Sequence, residues 1–364
     1  MQVVEDAMVD SPGRSRPPTP WVWIVVAFAV GLGSGAVFFG PVVGLTLDTA
    51  GANPDTPLVP GEPIGPEGLA TALPGFPDAI VAIIETPDRN IEHLLWPQGR
   101  GPSTRPLPVT PGSTGELSVS GIWVGMTQIV PDSEGSLLSM GRPTGLNPVA
   151  SGVGAFAWHD SASGTVGFTR LYEGRWGLWK ATSFPFADHV ADLGPSHAPF
   201  GRLAYGDWGW VVPAGVGVEV LDPDGVVLVG FEGGLLASHN SGLLLIGGSE
   251  LVVVDVATGM EVRRYAVPMA GVRSAAFSPD GSRIAVTSSV KLAVLDVVGS
   301  GDPDVYEIDL GREAPVWSSD SRFVIVPAVP RGVSVIDTET GDIGSVLDEI
   351  VVRSVGVISL SGSS

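Results

Sequence analysis

Residues Val272–Val297, VRSAAFSPDGSRIAVTSSVKLAVLDV, decide the fold of this chain. The apolar run Ala275–Phe277 stops at Ser278–Gly281, where Pro presets φ and Gly accepts a positive φ, so a tight turn follows. The runs Ile284–Val286 and Leu292–Leu295 are short, apolar and partly β-branched, which favours strands. The stretch therefore predicts three short strands joined by two turns.

The last part of this unit recurs along the chain. An apolar strand that ends in Asp, followed by a turn, occurs four times: at Val218–Asp222, Leu251–Asp255, Leu292–Asp296 and Val333–Asp337. Degenerate matches at Trp96, Ser139 and Lys180 continue the register toward the N-terminus. Repeats of about 40 residues are typical of four-stranded propeller blades. The sequence therefore predicts an all-β fold, a seven-bladed β-propeller over residues 78–364, with six or eight blades left open.

The two ends of this domain complement each other. Asp78–Glu85 resembles the second strand of a unit but has no first strand before it. Val352–Ser359 resembles the first strand at Val272–Ser278, and no second strand follows it in this sequence. We therefore expect the C-terminal strand, residues 351–360, to complete the first unit and close the ring, which removes an exposed sheet edge.

Two of the repeats resemble those of known propeller families. Phe277–Ala285, FSPDGSRIA, resembles the repeat of TolB-type, WD40-like propellers, and Val333–Gly341, VSVIDTETG, resembles the YVTN-type repeat. The resemblance covers residues 235–345, and the Gly-His and Trp-Asp dipeptides of true WD40 repeats do not occur. It implies a propeller fold and an extracytoplasmic binding role.

Composition narrows the classes of partner. The net charge is −20, and only Lys180 and Lys291 are Lys among the 19 basic residues, so no basic face is expected and nucleic acid is excluded as a partner. The chain has no Cys, which rules out disulfides, thiolate catalysis and a lipoprotein anchor. Its 50 Gly and 32 Pro favour many short strands joined by tight turns.

The N-terminal segment predicts membrane attachment. Residues 1–20 are polar and Pro-rich and are expected to form a disordered cytoplasmic arm. Trp21–Leu45 contains no ionisable residue and, as a helix of about 37 Å, could cross a hydrocarbon core of about 30 Å. Arg14 and Arg16 precede this helix, which predicts a cytoplasmic N-terminus and an exported domain. The Pro- and Gly-rich residues 46–77 are expected to form a linker.

Two alternatives concern this helix. Ala50-Gly51-Ala52 offers a signal-peptidase site, so the domain would be secreted after cleavage near Ala52. Gly31 and Gly35 form a G-x-x-x-G spacing, which would let a second helix approach and form a homodimer.

Candidate ligand-binding residues fall into two groups. Trp158, Trp176, Trp179, Trp208 and Trp210 are concentrated in the third and fourth units, where they either pack between blades or form a stacking platform for a sugar ring. Alternation along a strand would place Trp208 and Trp210 on one face.

The second group consists of metal-ligand residue types in the connection between the same two units: Asp188, His189, Asp192 and His197, with His159 in an earlier turn. Their spacing matches no standard zinc pattern, so we expect a solvated loop and no metal.

No catalytic constellation is recognisable, because the chain has no G-x-S-x-G nucleophile elbow and no Cys. The four repeated aspartates are expected to bond their own turns. We therefore expect a membrane-anchored module without a cofactor that binds or scaffolds proteins of the bacterial cell envelope. The alternatives are cell-wall glycan binding through the Trp group, and a lyase, hydrolase or quinoprotein-like enzyme with its site in the central channel.

Overall fold

The computed structural model describes part of the chain: residues 73–98, 101–110, 113–118, 120–130, 135–159, 164–183, 186–266, 269–299, 301–311 and 313–359. The expected arm (1–20), membrane helix (21–45), Gly31 and Gly35, the cleavage site at Ala52 and most of the linker lie outside these residues. Among the described residues, no helix has the length and apolarity needed to cross a membrane.

The described residues form 27 strands and no helix, which confirms the β-rich fold. The strands are β1 (Ala79–Glu85), β2 (Ile91–Trp96), β3 (Ser103–Pro106), β4 (Thr114–Leu117), β5 (Val124–Ile129), β6 (Ser136–Arg142), β7 (Gly145–Trp158), β8 (Val166–Tyr172), β9 (Arg175–Ser183), β10 (Phe186–Asp192), β11 (Ala204–Gly206), β12 (Gly209–Ala214), β13 (Gly217–Leu221), β14 (Val227–Glu232), β15 (Gly234–Ser238), β16 (Leu243–Gly247), β17 (Glu250–Asp255), β18 (Met260–Ala266), β19 (Ser274–Phe277), β20 (Arg283–Thr287), β21 (Lys291–Asp296), β22 (Asp304–Glu307), β23 (Val316–Trp317), β24 (Phe323–Pro327), β25 (Val333–Asp337), β26 (Ile343–Val346) and β27 (Val351–Ile358).

Antiparallel pairing groups these strands into six sheets. Five are four-stranded, with the orders β27-β1-β2-β3, β11 to β14, β15 to β18, β19 to β22 and β23 to β26. The sixth contains seven strands, β4 to β10. It holds two of the repeat units, because β7 is 14 residues long and pairs with β6 through its first part and with β8 through its second.

The C-terminal strand lies in the same sheet as the first strand of the domain. β27 pairs antiparallel with β1, from Ala79 opposite Ile358 to Glu85 opposite Val351. It therefore occupies the edge position that β19 occupies in the sheet of β19 to β22.

Packing of the domain begins before Asp78. Leu73 and Phe76, at the end of the expected linker, are buried, and the Phe76 ring meets Phe323 edge-on at 5.4 Å. Because these two apolar side chains cover β24 and β25, the last residues of the Pro-rich segment belong to the core.

The core lies between successive sheets. One apolar cluster joins β15 to β17 with β19 to β21, a second joins β20 and β21 with β23 to β25, and a third joins β24 and β25 with β1, β2 and β27. The middle strands are therefore covered on both faces, which explains why β20 and β24 are nearly uninterrupted apolar runs. Each sheet contacts the next one along the chain, and β23 and β24 contact β27.

Candidate functional site

A cavity of about 1150 Å³ is lined by at least one segment from every sheet. Most of these segments belong to the first strands of the sheets or directly precede them. The others lie on β5, β6 and β7 of the seven-stranded sheet and around the turn between β1 and β2. They include Thr114–Leu117, Gly154–Trp158, Phe200–Ala204, Leu235, Ser238, Arg273–Ser274, Glu313–Ala314, Val316 and Arg353–Val355. The first strands thus face a common space.

In the described part of the chain, the charged side chains that line the cavity are four arginines and three glutamates: Arg89, Arg202, Arg273, Arg353, Glu85, Glu116 and Glu313. Their formal sum is positive by one charge, whereas the whole chain carries −20. The cavity is therefore an exception to the acidic character of the protein.

Two of the arginines face an acidic partner. Arg353 Nε donates a hydrogen bond of 2.9 Å to Glu85 Oε2, so this ion pair links β27 to β1. Glu116 and Arg202 are open to the water of the cavity, but the surrounding protein displaces much of the bulk solvent. This desolvation raises the pKa of Glu116 and lowers that of Arg202, and their mutual attraction opposes both shifts.

The backbone of Arg273 is hydrogen-bonded, whereas its side chain has no partner among the described residues. Its amide N donates to Thr287 O at 2.8 Å. The next residue, Ser274, is buried and hydrogen-bonds Thr287 Oγ1 at 2.6 Å and Glu313 O at 3.1 Å. The Arg273 side chain is exposed to the cavity and forms no hydrogen bond or ion pair within the described part of the chain. It also lines a cleft of about 620 Å³ together with Asp309.

Two tryptophans of the predicted group are buried, and the other three are half-buried. Trp158 is buried in the cavity wall, with Nε1 donating to Glu116 O at 3.4 Å. Trp210 is fully buried and stacks on Tyr205 at 4.0 Å. Trp208 is partly exposed in the turn before β12, so it does not share a strand face with Trp210.

The remaining aromatic residues form two contacts outside this stack. Trp176 is partly buried and meets Phe200 edge-on at 5.1 Å. Phe200 is 53% exposed and lines the cavity. Trp179 meets His189 edge-on at 5.1 Å, and the Arg170 guanidinium lies 5.0 Å from its ring centroid.

The predicted metal-type residues do not converge. Asp188, His189 and Asp192 lie on the strand β10, where we expected a loop, because Phe186–Asp192 pairs with β9 as an exposed edge. His189 Nε2 is 3.1 Å from Asp192 Oδ1. The described residues contain no group of three or more His, Cys, Asp or Glu that could hold a metal.

The other two histidines have separate acidic partners. His197 Nε2 is 3.0 Å from Glu219 Oε2. His159 Nε2 is 3.3 Å from Asp207 Oδ1, and its ring meets Tyr205 edge-on. The first contact joins the connection between β10 and β11 to β13. The second joins the end of β7 to the turn between β11 and β12.

Most of the charged residues that line the cavity were not predicted from the sequence. A charged residue at the start of a first strand is the sequence signal that could have identified part of this lining. Arg273 in Val272–Ser274 and Arg353 in Val352–Ser354 occupy this same repeat position. Glu116 and Arg202 lie in units where the repeat is degenerate, so no alignment of units points to them.

Comparison with known proteins identifies no family, since no family model and no curated protein matches the chain. Solved structures do resemble it. TolB from Acinetobacter baumannii is similar at 12% sequence identity and a TM-score of 0.44, with 76% of this chain and 67% of that chain covered. A functionally unknown protein from Desulfotomaculum acetoxidans DSM 771 is similar at 10% identity and a TM-score of 0.53, with 77% and 98% covered. This second likeness concerns the fold and assigns no activity.

Proposed function

We propose that the chain is a seven-bladed β-propeller that binds a partner protein of the bacterial cell envelope, with a segment of the partner held in the central cavity. The observation that carries the proposal is the cavity itself, to which every sheet contributes lining residues. The seven-stranded sheet counts as two blades that share β7, and β27 supplies the first strand of the sheet that contains β1. Closed propellers use this kind of exchange to avoid an open sheet edge.

A segment of a protein suits this cavity better than a sugar bound to the Trp group. A volume of about 1150 Å³ exceeds that of typical small-molecule sites, which span about 300–1,000 Å³. The lining combines apolar side chains with charged ones, so it could contact both an apolar side chain and a charged group of a bound protein segment. The buried indoles of Trp158 and Trp210 offer no surface on which a sugar ring could stack.

The location at the envelope rests on the sequence of residues 21–45. A helix there would anchor the protein and place the β domain outside the cytoplasm. The partner would then be a membrane or cell-wall-associated protein that reaches the cavity from the extracytoplasmic side.

Site-specific photo-crosslinking tests the binding role. A photoreactive amino acid replaces Phe200, which is exposed inside the cavity, and, as a matched control, Ile343, which is 50% exposed on β26. In the native host, the full chain carrying the probe at position 200 is expected to give a discrete adduct with one protein, and the control is expected to give none. No adduct at position 200, or the same adducts at both positions, would overturn the proposal.

A further inference from the structure

We propose that Arg273 is the recognition residue of the cavity and binds a carboxylate that carries an apolar neighbour, an inference that rests on the proposed binding function. Arg202 and Arg353 each face a glutamate, whereas the Arg273 side chain has no partner among the described residues. Arg89 has none among them either, but it lies in the exposed turn between β1 and β2, whereas Arg273 directly precedes a first strand. A guanidinium without a partner in a partly enclosed space offers two parallel N–H donors that match the two oxygens of a carboxylate.

The backbone at the base of this side chain is fixed before a ligand arrives. The amide of Arg273 is bonded to Thr287, and the buried Ser274 is bonded both to β20 and to the segment that precedes β23. The base of the side chain is therefore fixed by two neighbouring sheets. An arginine on a fixed backbone loses less backbone entropy on binding than one on a mobile loop.

The charge of the cavity favours a monovalent anion. Among the described lining residues, four arginines exceed three glutamates by a single charge, so one carboxylate brings their formal sum to zero. A phosphate dianion or a polyanion would leave excess negative charge beside Glu85, Glu116 and Glu313. The overall charge of −20 would also repel a polyanion before it reached the cavity.

Apolar side chains of the same cavity indicate what accompanies the carboxylate. Phe156, Phe200, Leu235 and Val316 all contribute to the lining. A ligand with an aromatic or aliphatic group next to its carboxylate would contact both kinds of surface. A hydrophobic C-terminal residue of a protein, or an acidic side chain beside a hydrophobic one, meets this description.

The first test uses a fluorinated probe and its neutral isostere. Binding of 4-fluorophenylacetate and of 4-fluorophenylacetamide to the full chain is measured by fluorine NMR line broadening. The acid is expected to bind about tenfold more tightly than the amide, which corresponds to about 1.4 kcal/mol. Arg273→Gln is expected to abolish this preference, and Arg273→Lys to retain part of it. Arg264→Gln, which removes a surface charge paired with Glu250 and Glu261, is the matched control and is expected to keep the preference.

Equal binding of acid and amide by the unmodified chain would overturn the inference, as would an acid preference that survives in Arg273→Gln. The source of the carboxylate is distinguished with N-acetyl-phenylalanine, which has a free α-carboxylate, and with an amidated Phe-Asp dipeptide. Preference for the first indicates a protein C-terminus, and preference for the second an internal acidic residue. If the unmodified chain shows no acid preference but the crosslink at position 200 forms, only the role of Arg273 is refuted, whereas absence of the crosslink refutes the binding proposal.

Discussion

Acid is expected to destabilise this protein through one buried histidine, His93 on β2. This residue is 8% exposed, and its Nε2 atom has no hydrogen-bond partner among the residues that the structure describes. Burial, with a smaller contribution from Arg105 on the neighbouring strand β3, lowers the pKa of His93 from 6.5 to about 4. The folded protein therefore keeps this imidazole neutral at a pH where the unfolded chain already binds a proton.

The sign and size of the effect follow from this difference in pKa. Below pH 6.5 the His93 imidazole binds a proton in the unfolded state but stays neutral in the folded state. The free energy of unfolding therefore falls as the pH falls, until the pH drops below the folded-state pKa of about 4. The full loss is about 3 kcal/mol, and about 2.5 kcal/mol of it is expected between pH 7 and pH 4.5.

Urea titrations of the full chain at pH 7 and pH 4.5, followed by Trp fluorescence, measure this loss. Carboxylates also titrate in this interval, so the informative quantity is the difference between the unmodified protein and His93→Leu. The variant is expected to lose about 2.5 kcal/mol less on acidification. At pH 7 it should be as stable as the parent or more so, because an unpaired buried nitrogen has been removed.

Parallel pH dependence of the two proteins would refute the reasoning. Arg105→Gln supplies an internal check, since the Arg105 charge is the smaller of the two causes. This variant is expected to shift the acid transition only slightly toward pH 6.5. A shift as large as that of His93→Leu would show that charge, and not burial, controls the histidine.

Three further predictions concern the fold and its orientation. Deletion of residues 351–364 removes β27 and exposes the edge of β1, so the thermal midpoint should fall by several degrees or the protein should aggregate, as seen by calorimetry and light scattering. Asp78→Asn should cost about 1–3 kcal/mol in urea titrations, because the buried Asp78 carboxylate accepts hydrogen bonds from Ser319 N at 2.7 Å and Ser319 Oγ at 2.6 Å. The chain has no Cys, so single cysteines can report its orientation in the membrane. Asn240→Cys should react with a membrane-impermeant maleimide on intact cells, whereas Ser11→Cys should react only after lysis. The reverse pattern would exclude a cytoplasmic N-terminus with an exported β domain.

The local structure of the repeat could be predicted well from the sequence. The three strands expected in Val272–Val297 are β19, β20 and β21, each within one residue of its expected bounds at either end. Turn chemistry explains this accuracy, because Pro and Gly fix where a strand must stop. Asp222, Asp255 and Asp337 also accept bonds from the backbone N–H two residues on, at 3.0, 2.8 and 3.0 Å, so their structural role is confirmed.

Features that depend on distant segments could not be predicted. The continuous strand β7 fuses two units into one sheet, which no local signal in Gly145–Trp158 indicates. Phe186–Asp192 was expected to be a loop because prolines lie near it, but pairing with β9 makes it a strand. The charged lining of the cavity draws on residues as far apart as Glu85 and Arg353, which only the tertiary fold brings together.

The pairing of β27 with β1 has a consequence for biosynthesis. Glu85 and Arg353 are separated by 268 residues along the chain. At a translation rate of about 5–20 residues per second, β1 leaves the ribosome roughly 15–50 s before β27 exists. During that interval β1 can pair with β2 but has one open edge that a chaperone or translocation factor would have to shield. A prematurely terminated product would retain that open edge permanently, which marks it for proteolysis.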